Sequence, residues 1–469
     1  MSKKNQNYTN RKQNRFQPER MRGNIFVNNS GKQWLPGKNG RAAKVERLLR
    51  GLEKKEIAGN MAGYKDSGIE YIGQVPKDWE VLRLKNISNI YAAKEYLFGE
   101  WPVEKNGKPY SPFGEWSSGN EVIITGRVGT IGQYEMLEKN PKKKILINDN
   151  RLLIRPFTED YRKKALSHFL FWAMAIVNLN DIITGSAVPL ITATSLLKKR
   201  IVVPPLSEQQ RIADFLDTKC GILDRTIDAV SQQIEDLEKY KKALITKTVT
   251  KGIYKKGEPE RAMKDSGVEW IGEVPEEWDV KRNSLNFDIR KTLVGENWSN
   301  MQLLSLTTNG VKNITIDDQV GKRPKTLATY QIAHKNDIVM CLFDLDASAV
   351  FSGLCKKNGI ISPAYKLLKC KNGMFPPYAE YYFRAVFDGR KYKKYAKSIR
   401  YTISTNDFMH LKMPVPPLAE QQQIADYLDE KCKNINNRVQ KRRQQLEWLK
   451  EYKKSLIFDY VTGKKRVKK

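Results

Sequence analysis

Two long stretches of the chain place apolar residues at alternating steps of four and three positions. In the first stretch, the series consists of Leu216, Cys220, Leu223, Ile227, Val230, Ile234, Leu237 and Leu244. In the second stretch, each 212 residues further on, the matching positions are Leu428, Cys432, Ile435, Val439, Arg442, Leu446, Leu449 and Leu456. A seven-residue period is typical of a helix that packs along its length against another helix. We therefore predict two long helices that pack against each other through these seam positions.

Both series are interrupted at the same place, by Lys241 in the first stretch and Lys453 in the second. A shared pattern with a shared interruption indicates an internal duplication. Two unrelated surface helices are the alternative, but a surface helix need not keep a strict heptad over about 40 residues. Since duplicated halves tend to be related by a twofold axis, we predict that the two helices run antiparallel.

The same short motif opens both helical stretches, as PPLSEQQ at residues 204–210 and PPLAEQQ at residues 416–422. Prolines cannot donate a backbone hydrogen bond, so a preceding strand should end at them. Ser207 is a typical N-cap residue, and Gln210 stands three positions later, as in a capping box. We predict that the first helix is capped by Ser207.

A second motif is also repeated, as KDSGIEYIGQVP at residues 65–76 and KDSGVEWIGEVP at residues 264–275. Its glycines and prolines stand at fixed places, which indicates a rigid, turn-rich segment. Trp79 and Trp278 follow the two copies as packing anchors. The sequences between this motif and the PPL-x-EQQ motif do not match each other. The duplication therefore preserved the repeated motifs and long helices, which we call the frame. The two segments enclosed between the motifs, which we call the bodies, diverged.

The charge of the chain limits the kinds of partner that it is expected to bind. Its 469 residues carry a formal net charge of +31, which points to a polyanion such as nucleic acid. Residues 1–60 hold about 15 basic and about 4 acidic side chains, typical of a flexible basic extension. This extension is either a nucleic-acid-binding arm or incidental. The end of the chain, residues 461–469, reads as a frayed basic tail.

Other classes are disfavoured by the composition. No run of about 20 apolar residues could span a membrane, and the N-terminus lacks the apolar core of a signal peptide. The five cysteines form no CxxC pair, so neither a disulfide framework nor a zinc site is expected, and a reducing cytoplasm fits.

Candidate DNA contacts are basic residues in loops and beside tyrosines, because such residues bind phosphates and stack on sugars or bases. They are Arg127, Lys142, Lys143, Lys144, Arg151, Lys322, Arg323, Lys325, Arg390, Lys391, Lys393, Lys394 and Arg400. Two alternatives remain open. The glycine-rich segment 126–132 also fits a structural hairpin turn, and the basic residues 390–401 also fit a solvated helix face.

Catalytic motifs are missing from the sequence. No Walker A loop, HExxH motif or metal-binding Cys/His cluster occurs, so no catalytic residue and no metal site is predicted. Residues 362–365 (SPAY) only partly match the (N/D/S)PP(Y/F) signature of amino-methyltransferases, since the second proline is missing. A large basic chain without such motifs suggests a recognition subunit whose chemistry lies in its partners.

The two repeated motifs together resemble the DNA specificity subunit of type I restriction–modification systems, over residues 61–460. This resemblance implies a phage-defence protein of the bacterial or archaeal cytoplasm that reads a bipartite, asymmetric target in double-stranded DNA. It also implies two modification subunits with S-adenosylmethionine and an adenine-N6 methylation site, and two restriction subunits driven by ATP and Mg²⁺. No cofactor is then expected on this chain itself.

The fold implied is α+β, with two α/β target-recognition domains separated by an antiparallel coiled coil and related by a pseudo-twofold internal repeat. The predicted segments are an extension 1–60, a first recognition domain 61–203, a first helix 204–250, a second recognition domain with its linker 251–415, a second helix 416–460 and a tail 461–469. The alternative function is a coiled-coil scaffold that binds RNA or acidic protein partners.

Overall fold

The computed structural model describes residues 22–23, 63–92, 122–126, 131–136, 151–158, 164–185, 189–254, 257, 259–308, 310–315, 326–345, 352–371, 373–396 and 401–467. The chain divides into two compact units. Unit 1 comprises Met1–Asp228 and Leu446–Lys469, and unit 2 comprises Ala229–Gln445. Each long helix, Leu206–Lys251 and Leu418–Val461, contributes residues to both units.

Unit 1 is built from short strands and two short helices, followed by the start of a long helix. Its strands are β1 (Arg22–Gly23), β2 (Tyr64–Asp66), β3 (Gln74–Pro76), β4 (Glu80–Arg83), β5 (Ser88–Ala92), β6 (Val122–Thr125), β7 (Tyr134–Met136), β8 (Arg151–Pro156) and β9 (Arg200–Val203). Its helices are α1 (Ser167–Met174), α2 (Ala193–Leu197) and the first part of α3 (Leu206–Lys251). An antiparallel sheet has the order β1-β7-β6-β8-β5, and β2 pairs with β3 and β4 with β9.

Unit 2 has the same small strand pairs around a different body. Its strands are β10 (Met263–Asp265), β11 (Glu273–Pro275), β12 (Asp279–Arg282), β13 (Phe287–Arg290), β14 (Leu303–Thr307), β15 (Gly310–Ile314), β16 (Gln331–Ala333), β17 (Ile338–Met340), β18 (Ser352–Leu354), β19 (Gly359–Ile361), β20 (Lys366–Cys370) and β21 (Lys412–Val415). Its helices are α4 (Asn283–Asn286), α5 (Pro376–Asp388) and α6 (Thr405–His410), with the first part of α7 (Leu418–Val461). Two four-stranded sheets have the orders β13-β20-β17-β18 and β15-β14-β19-β16, and β10 pairs with β11 and β12 with β21.

The strand directions in the sheets differ from one part of the predicted fold class. The α/β type predicted for the two domains implies parallel strands joined by helices. The described strand pairs are antiparallel, except for β14 with β19. Each unit is therefore of the α+β type, and the chain as a whole is a mixture of helices and strands. Short hairpin connections favour antiparallel neighbours, because parallel strands need a long crossover.

Each unit has its own hydrophobic core, and both cores include residues of the two long helices. In unit 1, the apolar helix α1 packs with Ile212, Leu216, Ile457 and Val461 in one buried cluster. Six of the eight residues of α1 are buried, as expected for a helix enclosed on all sides. In unit 2, α5 shares a cluster with residues from both α3 and α7.

All the predicted seam positions except Arg442 are buried or half-buried. Leu216, Cys220, Val230, Leu428, Cys432, Ile435, Val439 and Leu449 are buried. Leu223, Ile227, Ile234, Leu237, Leu244, Leu446 and Leu456 are half-buried, whereas Arg442 is exposed and bonds to Gln445. Outside the seam, the exposed Ile222, Tyr240, Trp448 and Tyr452 lie on the other faces of these helices.

The two long helices contact each other within each unit, and there they run in opposite directions. In unit 1, Phe215 packs on Tyr460 with ring centroids 4.4 Å apart, while the later residue Asp224 meets the earlier residue Lys453. In unit 2, Glu238 bonds to Arg443, and the later residue Lys241 bonds to the earlier residue Asn436.

The first long helix begins one residue before the predicted cap. Helix α3 starts at Leu206, so Ser207 lies in its first turn and does not form the predicted capping box with Gln210. The backbone amides of Glu208 and Gln209 donate to the carbonyl oxygen of Pro205, at 2.9 and 3.0 Å. Gln210 instead bonds to Asp214 along the exposed surface of the helix.

Candidate nucleic-acid interface

The repeated turn motif adopts the same local structure in both units. The Asp66 carboxylate accepts a hydrogen bond from the Gly68 amide at 3.0 Å, as Asp265 does from Gly267. Gly68 and Gly267 have φ angles of +66° and +64°, in the left-handed region that favours glycine. The motif is therefore a rigid turn whose side chains bond to their own backbone.

The tryptophan after each turn motif ties the motif to the start of a long helix. Trp79 is fully buried, and its indole Nε1 donates to Glu208 Oε2 at 3.0 Å. In unit 2, the fully buried Trp278 donates to Glu420 Oε2 at 2.9 Å. These glutamates are the acidic residues of the two PPL-x-EQQ motifs. The motif thus provides an acceptor, buried for Glu208 and half-buried for Glu420, as well as a helix start.

The first glutamine after each of these glutamates fastens the body to the long helix. The Gln209 amide group donates to the carbonyl oxygens of Lys164 and Pro204 and accepts from the Leu166 amide, each at 2.8 Å. Leu166 is the N-cap residue of α1. The side chain therefore satisfies an amide at the start of a helix that carries no side-chain cap of its own.

Gln421 repeats this arrangement in unit 2. It donates to the carbonyl oxygens of Gly373 and Pro416 and accepts from the Phe375 amide, each at 2.8 Å. Phe375 is the N-cap residue of α5. Gln209 and Gln421 are both fully buried, so each glutamine is a fixed connection between a helix of the body and the frame.

The two lysines that interrupt the seam reach polar partners on the other long helix. In unit 1, Lys453 Nζ lies 2.6 Å from Asp224 Oδ1. In unit 2, Lys241 Nζ lies 3.0 Å from Asn436 Oδ1. Burial and the positive charge of Arg384 lower the pKa of Lys241. Polar contacts within an apolar seam select one register, because any slip would leave them unpaired.

The end of the chain is anchored rather than frayed. The Tyr64 hydroxyl donates to the carbonyl oxygen of Gly463 at 3.0 Å, and Arg466 pairs with Asp78 at 2.5 Å. Lys464 donates to the carbonyl oxygen of Gln74. The frayed tail predicted from local sequence is thus wrong for residues up to 467, because their partners lie nearly 400 positions earlier, in and beside the turn motif of unit 1.

Most of the predicted DNA-contacting residues lie outside the described residues. These are Arg127, Lys142, Lys143, Lys144, Lys322, Arg323, Lys325 and Arg400, and for Arg151 only the backbone, at the start of β8, is described. The 126–132 segment joins β6 to β7, and its described ends form hairpin hydrogen bonds between Thr125 and residues 132 and 133. That geometry agrees with the structural alternative for this turn.

The remaining predicted contacts share one basic turn in unit 2, which packs on the turn motif of that unit. Arg390 is exposed and precedes the 3₁₀-helix Lys391–Lys394. Lys391 Nζ lies 5.9 Å from the Trp270 ring centroid, and Lys394 pairs with Glu269. Lys393 Nζ lies 4.5 Å from the Tyr401 ring centroid. The structure brings these four basic residues together, and their role in DNA contact stays a prediction.

The structure describes Tyr365 of the SPAY segment and all five cysteines. Tyr365 of the SPAY segment stacks on Phe343, and its carbonyl oxygen accepts a hydrogen bond from Gln331. Cys220, Cys341, Cys355, Cys370 and Cys432 form no disulfide bond. Among the described residues, no cluster of three or more His, Cys, Asp or Glu side chains could hold a metal ion, and no helix could span a membrane.

Sequence reasoning missed one basic cavity in unit 1. Its volume is about 340 Å³, and it is lined by Arg83, Lys85, Thr194, Leu197 and Lys198. These residues come from two segments more than 100 positions apart, and no periodicity or motif connects them. The only local signals were the two basic residues at 83 and 85 and the run of three basic residues at 198–200.

A known family matches this chain over more than half of its length. The profile of the family described as the type I restriction modification DNA specificity domain matches residues 76–239 and 308–447. The chain therefore belongs to the type I restriction–modification DNA specificity family, and the resemblance seen in the repeated motifs is confirmed. The alternative of an RNA-binding or protein-binding scaffold receives no support.

Two proteins of Methanocaldococcus jannaschii are similar over most of their length. The type I restriction enzyme MjaVIII specificity subunit is 24% identical over 436 residues, which cover 84% of this chain and 95% of that protein. The putative type I restriction enzyme MjaX specificity subunit is 25% identical over 440 residues, covering 85% and 96%.

One solved structure, concerned with the assembly and conformational transition of the type I R-M system, contains a chain with the same fold. It matches with a TM-score of 0.58 and 15% identity, over 83% of this chain and 99% of that chain. At this identity the match is evidence for the fold alone.

Proposed function

We propose that this chain is the specificity subunit that reads a bipartite, asymmetric DNA target. In this role it directs adenine-N6 methylation, and cleavage, by partner subunits. The chain itself contributes recognition and carries no catalytic site. The family to which it belongs and its net charge of +31 both support a DNA-binding role.

One observation is the main support for the proposal that the two halves of the DNA target differ in sequence. The two units share the same frame contacts, including the Trp79–Glu208 and Trp278–Glu420 bonds. The described parts of the attached bodies differ: the body of unit 1 contributes β5 to β8 to a single sheet that β1 of the N-terminal extension joins, whereas the body of unit 2 forms two four-stranded sheets. Two different surfaces on equivalent frames would read two different base sequences.

We further propose that α3 and α7 form an antiparallel coiled coil that holds the two target-recognition domains apart, with the halves of the chain related by a pseudo-twofold internal repeat. The opposite helix directions within each unit support this arrangement. So do the matching roles of Lys453 and Lys241, which stand 212 positions apart. We also propose that the domains and helices have the segment boundaries predicted from the sequence.

The partners follow from the proposed role. They are double-stranded DNA and two modification subunits that bind S-adenosylmethionine, and two restriction subunits that use ATP and Mg²⁺ can join this complex. Free cysteines suit the reducing cytoplasm of a bacterial or archaeal cell. No cofactor is expected on this chain.

Exchange of one body is expected to change one half of the target. If residues 80–203 are replaced by the corresponding body of a relative, Trp79 and the PPL-x-EQQ motif are retained, so the frame contacts can form. The new body should specify a new half-site, while unit 2 continues to read the old one. Sequencing of the modified adenines in DNA of cells that also express the modification subunits measures both halves.

The matched control is exchange of residues 279–415, which should change only the other half of the target. A change of both halves after either exchange would mean that the two bodies are not independent readers. Methylated sites without any sequence preference in the wild-type complex would contradict the proposed function itself.

The purified chain is expected to transfer no methyl group. Mixed with S-adenosylmethionine and target DNA, it should give only the background incorporation of labelled methyl groups, because the catalytic groups belong to its partners. Addition of the modification subunits should restore incorporation. Methylation above background by the chain alone would contradict its assignment as a recognition subunit.

A further inference from the structure

Each unit places two positively charged residues directly opposite each other across a two-stranded sheet. Arg83 of β4 lies opposite Arg200 of β9 in unit 1. Arg282 of β12 lies opposite Lys412 of β21 in unit 2. All four residues are exposed. Like charges in directly opposed positions destabilise an antiparallel pair, so their presence in both units indicates a role other than stability.

In unit 1 this pair borders the basic cavity. Arg83 is part of its lining, together with Lys85 of the 3₁₀-helix Leu84–Asn86 and Lys198, the C-cap residue of α2. Lys85 and Lys198 are exposed. Three cationic side chains from separate elements therefore converge on a single cavity of about 340 Å³.

These cations have no acidic partner among the residues that the structure describes. In the part of the chain that the structure describes, Arg83, Lys85 and Lys198 form no ion pair, and neither does Arg200. Acidic residues on nearby segments are engaged elsewhere, Asp181 with Lys199 and Glu80 with Lys164. Among the described residues, the charge of the cavity is thus uncompensated, which leaves it available to an anion.

We propose that this cavity binds a phosphate group of the DNA backbone. Arg, Lys and Thr are the side chains that commonly contact backbone phosphates, and Thr194 adds a hydroxyl to the three cationic groups. An acidic protein partner fits less well, because protein interfaces are depleted in lysine and enriched in aromatic residues and methionine. This inference rests on the proposed function and adds to it a contact that positions the DNA without reading bases.

The test compares two double variants with the same loss of charge, in the full chain assembled with its modification subunits. Lys85→Ala with Lys198→Ala removes two cations of the cavity. Lys77→Ala with Lys219→Ala removes two exposed lysines of unit 1 elsewhere. Affinity for a duplex with the target and for one without it is measured by fluorescence anisotropy at several salt concentrations.

The cavity variant is expected to bind both duplexes about tenfold more weakly, with the ratio between them unchanged. Its slope of log affinity against log salt should become shallower by about 2, because each lysine that neutralises a phosphate adds close to one to the slope. The control variant should keep the wild-type affinity and slope.

Any of three other results would overturn the inference. Equal affinities and slopes for both variants would show that the cavity does not contact DNA, provided that the wild type prefers its target. Loss of target preference with an unchanged slope would mean base reading, and loss of modification subunits from the complex would mean an acidic protein partner. If the wild type itself lacked target preference, the proposed function would fail first.

A second measurement tests the pair of like charges, Arg83 and Arg200, directly. Arg200→Gln removes one of the two like charges, so the free protein is expected to melt at an equal or higher Tm. The same variant should bind DNA more weakly at low salt, because it removes a cation beside the phosphate. A lower Tm with unchanged DNA affinity would give the arginine pair a structural role and overturn the proposal.

Discussion

Replacement of Trp79 by alanine is expected to lower the free energy of unfolding of unit 1 by about 4 kcal/mol. The side chain is fully buried in the core of that unit. Its loss leaves a large cavity and removes the indole donor of Glu208, a carboxylate whose residue is only 7% exposed. The midpoint of urea unfolding, followed by far-ultraviolet circular dichroism, measures the change.

Trp448→Ala is the matched control in the same unit. Trp448 is 51% exposed and stacks on Tyr452 with ring centroids 5.5 Å apart. Its removal is expected to cost about 1 kcal/mol or less, since it disrupts only one exposed aromatic stack. If the two alanine variants were equally destabilised, Trp79 would not be the anchor that joins the turn motif to α3.

Gln209→Ala is expected to lower the free energy of unfolding of unit 1 by about 3 kcal/mol. The amide group makes three hydrogen bonds of 2.8 Å, with Lys164, Pro204 and Leu166. Alanine leaves these backbone groups without partners in a buried site, and each such group costs about 1 to 3 kcal/mol. Thermal unfolding monitored by circular dichroism would report the loss as a lower Tm.

The adjacent glutamine provides the control. Gln210 is exposed, and its amide bonds to Asp214 one turn further along α3. Gln210→Ala should change the stability by about 0.5 kcal/mol or less, because both groups regain water. Comparable losses for the two variants would mean that the motif acts through its helix propensity and not through the buried amide.

The predictions for Trp79 and Gln209 depend on contacts that the repeated motifs predicted only in part. The PPL-x-EQQ motif correctly marked the start of each long helix, since proline ends a strand and the following residues favour a helical turn. Its local interpretation as a capping box was wrong. The important glutamine is Gln209, whose partners at Lys164 and Leu166 lie more than 40 positions earlier. No local rule connects these residues.

The candidate DNA contacts were the least predictable part. Basic residues are common in a chain with 83 lysines and arginines, so their presence alone does not locate a binding surface. Lys391 and Lys394 were predicted from their places beside tyrosines, with a solvated helix face as the open alternative, and in the structure they contact Trp270 and Glu269 of their own unit. Arg83 and Lys198 carried almost none, although the fold brings them to one cavity.

The sequence by itself determined the two long helices and the turn motif that precedes each body, because heptad spacing and repeated motifs are written in local order and recur 212 and 199 positions later. Only the tertiary structure decided the antiparallel sheets of the bodies, the buried glutamine bonds and the anchoring of residue 463 to Tyr64. The last of these contacts joins residues 399 positions apart. Such contacts depend on chain topology, and a linear pattern of residue types does not specify which distant backbone groups will meet.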